Sequence, residues 1–125
     1  MAISITTLST QFNDIIITDT DTDHTPKNDI TQTTGSVYSI FVQNGIGSTS
    51  IYLKLYDATS VTLGTDEPIF IMKVAASATK QLIIPDGLPF ANGLSYLTTD
   101  TGGKQAQGSG YASASGNVTV RIVTS

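Results

Sequence analysis

The side chains best suited to bind an ion or transfer a proton lie in one short stretch. Carboxylates alternate at Asp19, Asp21 and Asp23, and His24, the single histidine, follows directly. Alternate carboxylates also open a calcium-binding EF-hand loop, but that loop needs glycine at position six and glutamate at position twelve. Those positions hold His24 and Ile30, so the EF-hand motif fails. Asp19, Asp21 and Asp23 stay as weak candidates for a looser metal site, and a solvated acidic loop is the favoured interpretation.

No catalytic set can be assembled from the remaining residues. A Ser-His-Asp triad could be built only around His24, in a segment with almost no apolar residues, and no Gly-x-Ser-x-Gly sequence supplies a nucleophile. The acidic residues fall mainly in predicted turns, where they are not held in the fixed opposition that a glycosidase needs. The glycines lack the lysine and helix of a phosphate-binding loop. We therefore expect a protein that is not an enzyme and has no cofactor.

Length and charge restrict the other classes of function. The chain of 125 residues has the size of one domain, and it contains no cysteine for disulfides or thiolate chemistry. The net charge is −4 and the six basic residues are scattered, which argues against nucleic acid as a partner. No apolar run approaches the ~20 residues of a membrane helix, and no secretion signal is recognisable at the N-terminus. We expect synthesis in a cytoplasm and no contact with a membrane.

Alternating apolar residues in the middle third predict strands. Ser50–Asp57 places Ile51, Leu53 and Leu55 on one face, with polar and tyrosine side chains on the other. Pro68–Val74 is almost continuously apolar, which is typical of a strand covered on both faces. We expect Pro85–Gly93 to form a turn in which two side chains, those of Leu88 and Phe90, plug the core.

The whole pattern predicts an all-β fold, an antiparallel two-sheet β-sandwich of the jelly-roll type with about eight strands. We expect one domain over residues 1–125, with residues 1–35 able to extend as an N-terminal arm and residues 100–116 forming a flexible loop. Asp19–Thr34 has almost no apolar content, so we expect an exposed loop that becomes ordered only against a partner.

Five side chains are candidates for contact with a partner. Ile3 and Ile5 alternate with polar residues in a short strand that could lie at a sheet edge or reach a neighbouring subunit. Tyr38, Tyr52 and Tyr56 could line an exposed aromatic face for sugar or protein contact. Packing of these tyrosines between neighbouring strands is the simpler alternative, and we favour it.

Three segments of the chain resemble a group of small proteins encoded by tailed bacteriophages. In this sequence they are Tyr52–Ala58 (YLKLYDA), Gly64–Pro68 (GTDEP) and Pro85–Leu94, the last with the turn GLPFANGL. In that group the same strand, turn and apolar-strand order recurs and ends in a closing strand. The Asp19–Thr34 segment has no counterpart there, and Ala75-Ala76-Ser77 stands where a glycine pair is usual.

The resemblance implies a structural protein of the virion, on the surface of the particle. It implies a capsid decoration or cement protein that self-associates, with a trimer as one option, and binds adjacent subunits of the major capsid protein. The alternative is a module on the phage tail that binds carbohydrate or the host surface through its tyrosines or long loops. Both remain expectations.

Overall fold

The described residues form eight β-strands and no helix. The computed structural model describes residues 3–9, 14–62, 64–102 and 117–125. The strands are β1 (Ile3–Ser9), β2 (Asp14–Asp19), β3 (Gly35–Asn44), β4 (Ile51–Asp57), β5 (Phe70–Val74), β6 (Thr79–Phe90), β7 (Leu94–Thr99) and β8 (Val118–Thr124). The predicted all-β class and the number of strands are confirmed. Most of the predicted loop 100–116 lies outside the described residues.

The strands build two antiparallel sheets. One sheet has five strands in the order β1-β2-β8-β3-β6, and the other has three in the order β5-β4-β7. Residues from both sheets pack into one hydrophobic core. The predicted two-sheet sandwich is therefore confirmed. Strands β1 and β2, which fall in the stretch considered for an N-terminal arm, form one end of the five-stranded sheet.

Alternation along strands β3 and β8 supplies much of the core. In β8, Val118, Val120 and Ile122 are fully buried while the residues between them are partly or largely exposed. The neighbouring β3 contributes Ile40 and Val42 opposite them in register. Each such aliphatic side chain stabilises the fold by about 1.5–3 kcal/mol relative to leaving it in water. The core thus comes from residues that the period of two identifies in the sequence.

Strand β7 is covered on both faces, whereas the same expectation for Pro68–Val74 was wrong. All six residues of β7 are buried, whereas β5 lies at a sheet edge with Met72 inside and Ile71 exposed. A second apolar cluster of Tyr56, Val61 and Leu97 covers the outer side of the three-stranded sheet. An apolar run cannot show by itself which strand the connecting segments will cover.

The Asp19–Thr34 segment is not an exposed loop, which corrects a second expectation. Its backbone follows β7, where Lys27 and Tyr96 exchange N–H···O bonds of 2.9 and 3.1 Å. The amide of Ile30 donates to the Leu94 carbonyl at 2.8 Å, and the amide of Thr98 donates to the Asp23 carbonyl at 2.9 Å. We call the stretch 23–30 the rim segment. Its order comes mainly from main-chain hydrogen bonds, which leave no apolar pattern in the sequence.

Strand β6 continues through the segment that we expected to be a turn. Val37 pairs with Leu88 and Ser39 with Ile83, so residues 84–87 of β6 lie opposite the single residue Tyr38. These four residues form a bulge, after which β6 resumes its pairing with β3 at Leu88. The two predicted core plugs are confirmed, because Phe90 is buried and Leu88 packs against the core.

Candidate interaction surface

Strand β1 carries two exposed isoleucines that point toward the core side of its sheet. Ile3 is 39% exposed and Ile5 is 52% exposed. They pair in register with Asp19 and Ile17 of β2, which are fully buried. Directly opposite residues of antiparallel strands share a face of the sheet. The apolar face therefore continues past β2 onto β1, where the three-stranded sheet does not cover it.

The four outer edges of the two sheets differ in how they are protected. The rim segment pairs with β7, so that edge is covered. Strand β5 exposes Lys73, and β6 exposes Lys80, Pro85 and Asp86. Charges and prolines on an edge strand are the usual means of preventing another strand from pairing with it.

Strand β1 has none of these protections. Its sequence, ISITTLS, contains no charged residue and no proline. Among the described residues no strand pairs with the side of β1 that faces away from β2. We call this side, with Ile3 and Ile5, the β1 edge. It presents main-chain hydrogen-bonding groups and apolar side chains together, which is what an incoming strand requires.

The three candidate tyrosines do not share a surface. Tyr38 lies in β3 of the five-stranded sheet, whereas Tyr52 and Tyr56 lie in β4 of the other sheet. Tyr52 is half-buried, with the Lys73 ammonium 5.9 Å from its ring centroid. Tyr56 is only 1% exposed, and burial, with Asp66 and Glu67 nearby, raises the pKa of its hydroxyl to about 12. Tyr56 contributes to packing and is not available to a partner.

The acidic stretch is built into the fold at its first member. The Asp19 carboxyl group is fully buried, and its Oδ2 accepts a hydrogen bond of 2.9 Å from the Tyr96 hydroxyl. Its Oδ1 accepts a 3.0 Å bond from the Asp21 amide. Burial, followed by the negative charge of Asp19, raises the pKa of Tyr96 far above its ordinary value. Tyr96 therefore stays protonated and links the two sheets through this bond.

The last aspartate of the stretch has local partners. Asp23 Oδ1 accepts a 2.8 Å bond from the Thr25 amide and lies 3.4 Å from the Lys27 ammonium. Within residues 3–9, 14–62, 64–102 and 117–125, no three His, Cys, Asp or Glu side chains are placed to hold a metal ion together. The hydrogen bond by which Asp19 joins the two sheets could not be predicted, because nothing in the Thr/Asp repeat distinguishes a buried aspartate from a hydrated one.

The described part of the chain contains neither a detectable pocket nor a helix long and apolar enough to span a membrane. As a class, the molecule is an all-β two-sheet sandwich, and among its described edge strands β1 alone lacks a cover, a charge and a proline.

Comparison with known proteins adds little to this description. No protein-family model matches the chain, and no curated protein matches it. A solved structure described as the crystal structure of Drosophila melanogaster CENP-C bound to CAL1 matches with a TM-score of 0.29 and 7% identity, over 98% of this chain and 76% of that chain. A similarity at that level supports no argument about function.

Proposed function

We propose that this protein is a non-enzymatic structural protein of a bacteriophage virion, a decoration or cement protein of the capsid. It self-associates and binds adjacent subunits of the major capsid protein on the particle surface. The observation that carries the proposal is the β1 edge, an uncharged strand with Ile3 and Ile5 exposed next to open main-chain groups. Self-association by adding a strand to a neighbouring copy needs such an edge.

The segments that resemble phage proteins are framework elements in this fold. YLKLYDA covers β4 from its second residue and includes the residue after the strand, GTDEP precedes β5, and the GLPF sequence ends β6. None of them surrounds a pocket, so the resemblance concerns a scaffold and supports a structural role. Only 13% of the residues are charged, and a weakly charged surface suits lasting contact with other protein.

The tail-associated carbohydrate-binding alternative would use either a tyrosine face or the long loops. Tyr38 and Tyr52 lie on different sheets and Tyr56 is buried, so the geometry does not favour the tyrosine face. A sugar-binding surface would have to be built from other residues.

Quantification of the protein in purified particles tests the proposal. We expect hundreds of copies per particle, measured by gel densitometry against the major capsid protein, and co-sedimentation of added protein with particles that lack it. A handful of copies, or a few dozen, would place it on the tail. Absence from particles together with failure to co-sediment would contradict the proposal.

A further inference from the structure

The β1 edge is the only outer sheet edge, within the described chain, that lacks a cover, a charge and a proline. We propose that the β1 edges of two copies pair antiparallel with each other, joining two five-stranded sheets into one continuous ten-stranded sheet. This inference deepens the proposed function and rests on its self-association, because it names the strand through which copies associate. It does not depend on a capsid, so it can be tested separately.

The other edges of the chain are poor partners for β1. Strand β6 contains Pro85 and Pro89, which cannot donate to a ladder, and exposes Lys80 and Asp86. Strand β5 is only five residues long and exposes Lys73. The rim segment already pairs with β7. Among the described edge strands, only the β1 strand of a second copy can therefore pair with β1 without bringing a charged residue or a proline to the contact.

Electrostatics also favours pairing at this edge. Each copy carries a net charge of −4, so two copies repel each other at long range. Like charges placed directly across an interface are costly, and β1 contains none. Pairing through β1 therefore joins the two acidic copies at an uncharged strand, where electrostatic repulsion opposes close approach least.

The alternation of β1 restricts how the two strands can align. Opposite residues share a face, so a two-fold axis that passes through a residue keeps the isoleucines of both copies on one face. An axis through Ser4 would place Ile3 opposite the partner's Ile5, and an axis through Ile5 would place the two Ile5 side chains opposite each other. An axis that passes between two residues would place isoleucine opposite a neighbouring polar residue, whose side chain lies on the other face of the strand. That alignment is excluded because directly opposite residues share a face. The resulting isoleucine strip continues the core face of both sheets.

Cysteine cross-linking tests the pairing directly, because the chain has no native cysteine. A residue on the two-fold axis faces its own copy at about 4.5–5.5 Å between Cα atoms, within reach of a disulfide. We expect at least one of Ser4→Cys, Ile5→Cys and Thr6→Cys to form a covalent dimer on mild oxidation, at least about tenfold faster than Ser60→Cys. Ser60 is exposed and serves as the control. Equal rates for all four variants would overturn the pairing.

Sedimentation velocity on two matched lysine variants gives a second test. Ile5 and Ile83 are 52% and 58% exposed, but only Ile5 lies at the β1 edge. We expect a dimer for the parent protein and for Ile83→Lys at about 100 μM, and dimerisation at least about 100-fold weaker for Ile5→Lys. Circular dichroism checks that both variants keep the sheet. If Ile5→Lys does not fold, the cysteine rates decide the question.

The two proposals can fail separately. A parent protein that is monomeric at about 100 μM, or a trimer that Ile5→Lys leaves intact, would overturn β1 pairing even if the protein binds particles. A dimer linked through β1 that neither occurs on particles nor binds them would overturn the capsid role and leave the pairing in place.

Discussion

At the scale of single residues, the fold depends on a few polar side chains that are buried. Asp19 is fully buried and joins the two sheets through Tyr96. Asn44 is 1% exposed and satisfies several main-chain groups at once. Removing one partner of a buried hydrogen bond leaves the other partner unsatisfied, so the free energy of unfolding should fall markedly.

Tyr96→Phe should lower the free energy of unfolding by about 2 kcal/mol or more, because the buried Asp19 carboxyl group loses its 2.9 Å donor. Urea denaturation followed by circular dichroism measures this change. Tyr38→Phe, which alters a half-buried tyrosine in the same way, should cost less than about 0.5 kcal/mol. Equal costs for the two variants would show that the hydrogen bond to Asp19 contributes nothing.

Asn44 should tolerate aspartate less well than alanine at neutral pH. Its Nδ2 donates toward the carbonyl oxygens of Thr49, Val74 and Ala75 at 2.9, 3.3 and 3.1 Å, while Oδ1 accepts from the Ile46 amide at 3.0 Å. Asn44→Ala should cost about 1–3 kcal/mol, and Asn44→Asp more, because a carboxylate oxygen would face three carbonyl oxygens.

The excess cost of Asn44→Asp should shrink in acid, where the introduced carboxyl group is protonated and can donate. Unfolding free energies of both variants at pH 7 and about pH 3 measure this difference. Gln43→Ala, at the exposed neighbouring position, is the control and should cost little at either pH. An Asn44→Asp variant as stable as the parent at pH 7 would contradict this account.

Asp57 should make stability sensitive to acid. The amides of Asn92 and Ala91 donate to its Oδ1 at 2.7 and 3.0 Å and hold the pKa of Asp57 below its ordinary value. The folded-state pKa lies below the unfolded one, so the stabilisation is complete above the unfolded value and is lost as pH falls through the folded value. Stability should therefore decline below about pH 4, and less steeply in Asp57→Asn than in the exposed control Asp86→Asn. Thermal unfolding from pH 7 to about pH 2 tests this; parallel curves would contradict it.

At the scale of elements, the bulge in β6 depends on one glycine. Gly87 has φ of +80°, and a Cβ there would lie 2.8 Å from Ser36 Cβ and 3.0 Å from Tyr38 Cε1. Gly87→Ala should cost about 1–3 kcal/mol, since it adds a strained backbone conformation to a steric clash. Gly47→Ala should change stability by less than about 0.5 kcal/mol, because its Cβ would meet only Ser77 Oγ, at 3.8 Å. Denaturant midpoints measure both, and similar effects would refute this role of Gly87.

The sequence predicted elements wherever side-chain alternation governs burial. Strands β4 and β8 were evident from the positions of aliphatic residues such as Leu53 and Val120, which proved fully buried. The rim segment was missed because Lys27 pairs through its backbone, and β5 was misjudged because Ile71 is exposed at an edge. Only part of the candidate surface was predicted from the sequence. Ile3 and Ile5 were singled out, but their continuity with the core face depends on the register with β2.

At the scale of the whole molecule, self-association should make stability depend on protein concentration. If the folded unit is a dimer and the unfolded chain a monomer, each tenfold rise in concentration stabilises the fold by about 0.7 kcal/mol per protomer. We expect the thermal midpoint to rise between about 1 and 100 μM in the parent, and to stay constant in Ile5→Lys. Differential scanning calorimetry measures both, and a constant midpoint in the parent would indicate an independent monomer.

The unequal protection of the sheet edges also determines how far association can proceed. Among the described strands, β1 alone has an edge without cover, charge or proline, so each copy offers one such edge. Pairing of two copies uses both of these edges, and the described strands offer no equivalent edge for a third copy. The same arrangement that permits pairing should thus keep a strand-rich protein with few charged residues from growing into fibrils at high concentration.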